Sequence, residues 1–162
     1  MRIVLESSSE ATTIELAAKL GRRLRAADVV CLDGPLGAGK TCFVRGLATG
    51  MGLDGAAVSS PSFLICHEYN GRAPLRLAHL DAYRLAGPDE LETIGWDELR
   101  TAGQTVLAIE WASRIEPALP PKRIDVMIQH TGPTSRLIVI NAPKTLASRL
   151  EGLDDRPHIR QQ

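Results

Sequence analysis

The sequence predicts a three-layer α/β domain with a mixed central sheet. Short apolar, β-branched runs of strand length alternate with segments whose apolar residues recur every three or four positions. Two pairs of strand-like runs are joined by short turns bearing glycine and proline, the mark of antiparallel hairpins at a sheet's edges. The 162 residues, 44% of them hydrophobic, suit one domain with its own core. We assign 1–153 to that domain and 154–162 to a C-terminal tail. These patterns leave the strand order open.

Each element has a local reason. "RIVLE" reads as a first strand. In the segment that follows, Ile14, Ala17, Leu20 or Gly21, and Leu24 are spaced as one helix face, with Ser8 or Ser9 as the cap. "DVVCLDG", Asp28 to Gly34, is short, apolar and β-branched, a buried strand. "KTCFVRGLATGMG" is the next helix, punctuated by glycines, and 54–62 is a loop. "FLICHEYNG" and "LRLAHLDAYRL" read as strands joined near "NGRAP". Pro88 opens a helical segment with acidic residues behind it, "GPDELETIGWDEL". "QTVLAIEW" is a further buried strand, "RIEPALPP" breaks order, and "RIDVMIQHT" with "SRLIVINAP" forms a second hairpin. "KTLASRLEGL" closes the domain as a short helix.

Composition narrows the function classes. A net charge of 0 gives no broad nucleic-acid or membrane footprint. Cys31, Cys42 and Cys66 lack metal-ligand spacing, which points to reduced thiols and a cytoplasmic setting. The N-terminus turns polar too soon for a signal peptide, and no apolar run nears the roughly 20 residues of a membrane span.

The informative stretch is "GPLGAGKT", Gly34 to Thr41, which fits G-x-x-x-x-G-K-[ST] in full. It follows an apolar strand and opens a helix, the context the motif requires. Gly34, Pro35, Leu36, Gly37, Ala38, Gly39, Lys40, Thr41 and Cys42 form the candidate cofactor-binding stretch, whose successive backbone N–H groups can enclose the β-phosphate at a positive helix end. Lys40 is placed to span the β- and γ-phosphates, and Thr41 offers a hydroxyl to magnesium. The fold expectation sharpens to a P-loop NTPase-like domain binding a nucleoside triphosphate.

Magnesium needs further oxygen ligands, and two acidic residues end apolar strands: Asp81 after "LRLAHL" and Glu110 after "TVLAI". Ligands bind at the carboxyl ends of such strands. Asp81 is read as the metal anchor and Glu110 as water positioner or metal partner. Ser60 or Ser62 in "SSPSF" is the candidate hydroxyl sensing magnesium or the γ-phosphate. His79 shares a strand face with Asp81 by period 2 and is either a support for the site or a core imidazole. Arg84 is either a charge partner or a surface residue.

Together, "LDGPLGAGKT", "VSSPSF", "HLDAYRL", "DELETIGWDE" and "LAIEW" resemble the bacterial TsaE (YjeE) family over roughly residues 5 to 140. The resemblance implies that Lys40 and Thr41 are the phosphate-loop pair, that Ser62 stands at the family's switch threonine, and that Asp81 anchors the metal. It also implies that Glu110 and Trp111 are the functional pair of the I-E-W motif. Pro35 departs from the family's usual acidic residue, and Ser62 keeps the hydroxyl but not the methyl of threonine. The implied activity is hydrolysis of ATP to ADP with Mg²⁺, weak in the isolated chain. It would support TsaB-like and TsaD-like partners that make tRNA N6-threonylcarbamoyladenosine, with tRNA touched only through that complex. Trp111 is read as facing a partner or packing under the site. The rival readings are a small-molecule kinase, for which no convincing lid stands out, and a nucleotide-gated scaffold with little catalysis. A GTPase is disfavoured because "NAPKT" lacks the spacing and aspartate of a base-recognition motif.

Overall fold

The computed structural model describes residues 1–61, 66–71 and 74–154. Among the described residues seven strands form one sheet: β1 (Arg2–Ser7), β2 (Val29–Asp33), β3 (Cys66–Tyr69), β4 (Arg76–Asp81), β5 (Thr105–Glu110), β6 (Ile124–His130) and β7 (Arg136–Asn141). Their order is β1-β7-β6-β2-β5-β4-β3. The inner four, β6, β2, β5 and β4, run parallel. The edges are antiparallel: β3 on β4, β7 on β6, and β1 on β7. Both expected hairpins are present, and the sheet is mixed as the sequence predicts.

Strand alternation divides the core. Val30 and Leu32 of β2, with Val106 and Ala108 of β5, face a layer built from α1 (Glu10–Gly21), α2 (Lys40–Gly50) and α4 (Lys144–Leu150). Val29, Cys31, Leu107 and Ile109 face the opposite layer, which contains Leu91, Trp96, Ile115 and Leu119. Glu110 follows Ala108 by two residues and Asp81 follows Leu77 by four, so both carboxylates fall on the α2 side.

Ser9 caps α1, its Oγ accepting from the Thr12 N–H at 3.1 Å. Phe43, Val44 and Leu47 of α2 are fully buried. Truncating a buried phenylalanine to alanine costs about 3–5 kcal/mol, so Phe43 alone is a large share of a domain's net stability. α1 and α2 pack tightly because Gly46 has no side chain. A Cβ there would lie 2.4 Å from the Ile14 carbonyl oxygen and 2.5 Å from the Ala17 Cβ.

Three boundaries differ from the sequence expectation. α1 stops at Gly21, short of the charged "RRLR". The strand ending in "HLD" stops at Asp81, whose carboxylate accepts from the Tyr83 N–H at 2.9 Å and turns the chain into a 3₁₀ turn, Ala82–Arg84. The segment read as one helix from Pro88 is a 3₁₀ stretch, Pro88–Ile94, and a short helix α3 (Trp96–Thr101). Gly95, at φ +67°, breaks it in two. Trp96 packs the core and does not border the cleft. No helix among the described residues is long and apolar enough to cross a membrane.

Candidate functional site

The loop between β2 and α2 sits at the carboxyl end of the parallel strands. Gly34 (φ +150°), Gly37 (φ +74°) and Gly39 (φ +104°) hold backbone conformations that L side chains rarely adopt. At Gly34 a side chain would also collide with the Ile128 carbonyl oxygen, 2.3 Å from the Cβ position. The loop is braced from β7: Arg136 Nε donates to the Ala38 carbonyl at 2.8 Å.

Lys40 is 5% exposed despite its charge. Its Nζ donates to the carbonyls of Gly34 (2.8 Å) and Pro35 (3.0 Å) and lies 3.9 Å from the centre of the Trp111 ring. Trp111 follows β5 in a left-handed conformation (φ +57°), with Tyr83 5.0 Å from it, ring centre to ring centre. Burial pulls the ammonium below its ordinary value, while Glu110, Asp33 and Asp81 oppose that shift.

Glu110 is 4% exposed. Its Oε1 accepts from the Thr41 hydroxyl at 2.8 Å and is 2.8 Å from His79 Nε2. Asp81 is the register partner of Glu110 across the parallel β4–β5 pair. Burial raises the Asp81 carboxyl above the usual range; the Tyr83 N–H opposes this and the Glu110 charge adds to it.

These groups enclose a cleft of about 420 Å³ lined by Leu36, Gly37, Gly39, Lys40, Thr41, Cys42, Ser60, Pro61, Asp81, Tyr83, Arg84, Glu110 and Trp111. Gly34, Pro35 and Ala38 belong to the same loop and are not among the lining residues. Ser60 reaches the cleft, whereas Ser62 lies outside the described residues. Burial pushes the Cys42 thiol up to about 11, which disfavours its thiolate. His79 is fully buried, and its Nε2 is in contact with Glu110. Arg136 was not legible in advance, since its partner lies 98 residues away in the chain. Tyr83 had one signal: it follows Asp81 by two residues in "HLDAYRL".

Among the described residues no cluster of three His, Cys, Asp or Glu side chains forms a self-contained metal site. Two carboxylates and one hydroxyl suit a magnesium ion that draws its remaining ligands from phosphate and water.

A strand, glycine loop and helix on a mainly parallel sheet, with acidic residues ending two neighbouring strands, define an α/β protein of the P-loop NTPase-like class. The family model "Threonylcarbamoyl adenosine biosynthesis protein TsaE" matches residues 7–138. The chain is 43% identical over 115 residues to the tRNA threonylcarbamoyladenosine biosynthesis protein TsaE of Bacillus subtilis, covering 71% of this chain and 70% of that one. It is 37% identical over 140 residues to the protein of the same name from Treponema pallidum, covering 86% and 99%. The crystal structure of Bacillus subtilis YdiB matches with a TM-score of 0.74 at 32% identity, covering 94% of each chain. The chain belongs to the TsaE family.

Proposed function

We propose that this chain acts in tRNA N6-threonylcarbamoyladenosine synthesis as a magnesium-dependent ATPase supporting the turnover of TsaB-like and TsaD-like partners. The observation that carries this reading is convergence: Lys40 and Thr41 from the glycine loop, Asp81 from β4 and Glu110 from β5 line one cleft.

The loop amides and Lys40 receive the phosphates and offset charge that builds up in transfer. Thr41, Asp81 and Glu110 are the residues that would hold magnesium, with Ser62 proposed as the γ-phosphate sensor. Bound magnesium neutralises phosphate charge. Glu110 accepts a hydrogen bond from the attacking water. The water oxygen bonds to the γ-phosphorus as the bond to the bridging oxygen breaks. ADP keeps that electron pair, and both of the water's protons leave with the phosphate product as dihydrogen phosphate. A cleft open to solvent loses electrostatic leverage, so the isolated chain turns over slowly and docking of a partner closes it.

The test is phosphate release by the chain alone and with TsaB-like and TsaD-like proteins from the same cell, for wild type, Lys40→Ala and Glu110→Ala. The expected result is stimulation by the partners that both variants lose. Unimpaired stimulated turnover in Lys40→Ala contradicts the proposal. Phosphorylated acceptor in place of free phosphate favours a kinase, and assembly without turnover favours a scaffold.

A further inference from the structure

We infer that His79 is the positioning residue for Glu110. Its Nε2–H holds the carboxylate by Oε1 and reserves Oε2 for the cleft. This inference rests on reading the cleft as an ATPase site.

The polarity of the contact follows from chemistry. An ionised carboxylate only accepts hydrogen bonds, so across the 2.8 Å separation Nε2 must carry the hydrogen. Among the described residues, His79 Nδ1 is buried with no hydrogen-bond partner. An unpaired buried polar atom costs about 1–3 kcal/mol, so packing alone is better served at this position by an aliphatic side chain. The imidazole's use is therefore at Nε2. The backbone supports the same contact. His79 lies opposite Ala108 in the parallel register, two residues before Glu110, and Ala108 is small.

Thr41 and His79 approach Oε1 from different elements, α2 and β4. Among the described residues no protein donor reaches Oε2. Two donors on one oxygen fix the carboxylate's rotamer and turn its other oxygen into the working one. Thr41 is also a proposed metal ligand, whereas the side chain of His79, fully buried, has Glu110 as its only hydrogen-bonding partner among the described residues.

The experiment compares His79→Leu and His79→Gln in the full chain with its partners. Glutamine places an amide N–H near the position of Nε2. We expect His79→Leu to bind ATP within about threefold of wild type while its turnover falls at least about tenfold, a loss in transition-state stabilisation with binding retained. His79→Gln restores most of the turnover. In a Glu110→Gln background, His79→Leu causes no further loss, as expected for two residues acting as one unit. Independently of nucleotide, ¹⁵N–¹H correlation spectra of the chain show a protonated, hydrogen-bonded Nε2. Wild-type turnover in His79→Leu, multiplied losses in the double variant, or a ring protonated at Nδ1 alone overturns the inference. If His79→Leu does not fold, His79→Gln and the spectra decide. A wild-type chain that takes up no ATP refutes the proposed function, while the spectra still judge the His79–Glu110 contact.

Discussion

Thr41 and Glu110 lie 69 residues apart in the chain, and the Thr41 hydroxyl donates to Glu110 Oε1 at 2.8 Å. One comes from the first turn of α2 and the other from the last residue of β5, so this bond ties the glycine loop to the acidic strand ends. Thr41→Val keeps the shape and removes the donor. A net hydrogen bond is worth about 0.5–1.5 kcal/mol, so the fold survives. Steady-state kinetics over a magnesium titration should show turnover reduced by about 10²-fold, the scale of one lost electrostatic contact at a reacting phosphate. Thr41→Ser should retain most of it. Equal turnover in wild type and Thr41→Val removes this hydroxyl from the account.

Asp81 carries a cost in stability at neutral pH. Its carboxyl is raised by burial and by Glu110, so the native state holds that proton more tightly than the unfolded chain does. The stability this contributes is fully present below the unfolded value, about 3.9, and is lost as pH rises through the raised native value. Asp81→Asn can still accept from the Tyr83 N–H and carries no charge. In magnesium-free buffer it should melt higher than wild type at about pH 7, with the gap shrinking towards about pH 4, while ATP turnover falls. Thermal melts across that range check the sign. A gap that widens on acidification contradicts the assignment.

Gly46→Ala sets two effects against each other. Alanine is worth about 1 kcal/mol over glycine inside an exposed helix. Here its methyl would press on the Ile14 carbonyl and the Ala17 methyl at 2.4 and 2.5 Å, both held within the packed α1–α2 pair. Overpacking costs about 1–3 kcal/mol, and we expect it to win. Urea unfolding should show a lowered midpoint with an unchanged slope.

Arg136→Met removes the brace on the Ala38 carbonyl, a 2.8 Å bond from β7 to the loop. The loop's glycines then have more freedom to lose on binding phosphate. Calorimetry should show ATP affinity weakened by roughly tenfold, about 1.4 kcal/mol, with little change in melting temperature. Arg136→Lys should restore little, because a lysine cannot reproduce the guanidinium's fixed geometry.

How far the sequence could be read follows from the range of each interaction. The glycine loop and its flanking strand and helix are local, and so is the shared face of His79 and Asp81, two residues apart. The pairing of Asp81 with Glu110 was not legible, because it depends on β4 lying next to β5, and strand order is set by packing across the whole sheet. The broken helix around Gly95 shows another limit. Pro88 and the acidic run signal a helix start, but the buried Leu91 and Trp96 are seated on the sheet by a turn at φ +67° between them. Arg136 looks like any strand-end arginine until the fold brings it to Ala38.

The proposed function stands on the Gly34–Thr41 loop taking the phosphates of a magnesium-bound nucleotide. Calorimetric titration of ATP with Mg²⁺ into the folded chain, beside Lys40→Ala, tests it most directly. One ATP should bind per wild-type chain, with binding weakened by at least about tenfold, about 1.4 kcal/mol, in the variant. No heat of binding to well-folded wild type, or equal affinity in Lys40→Ala, would contradict it.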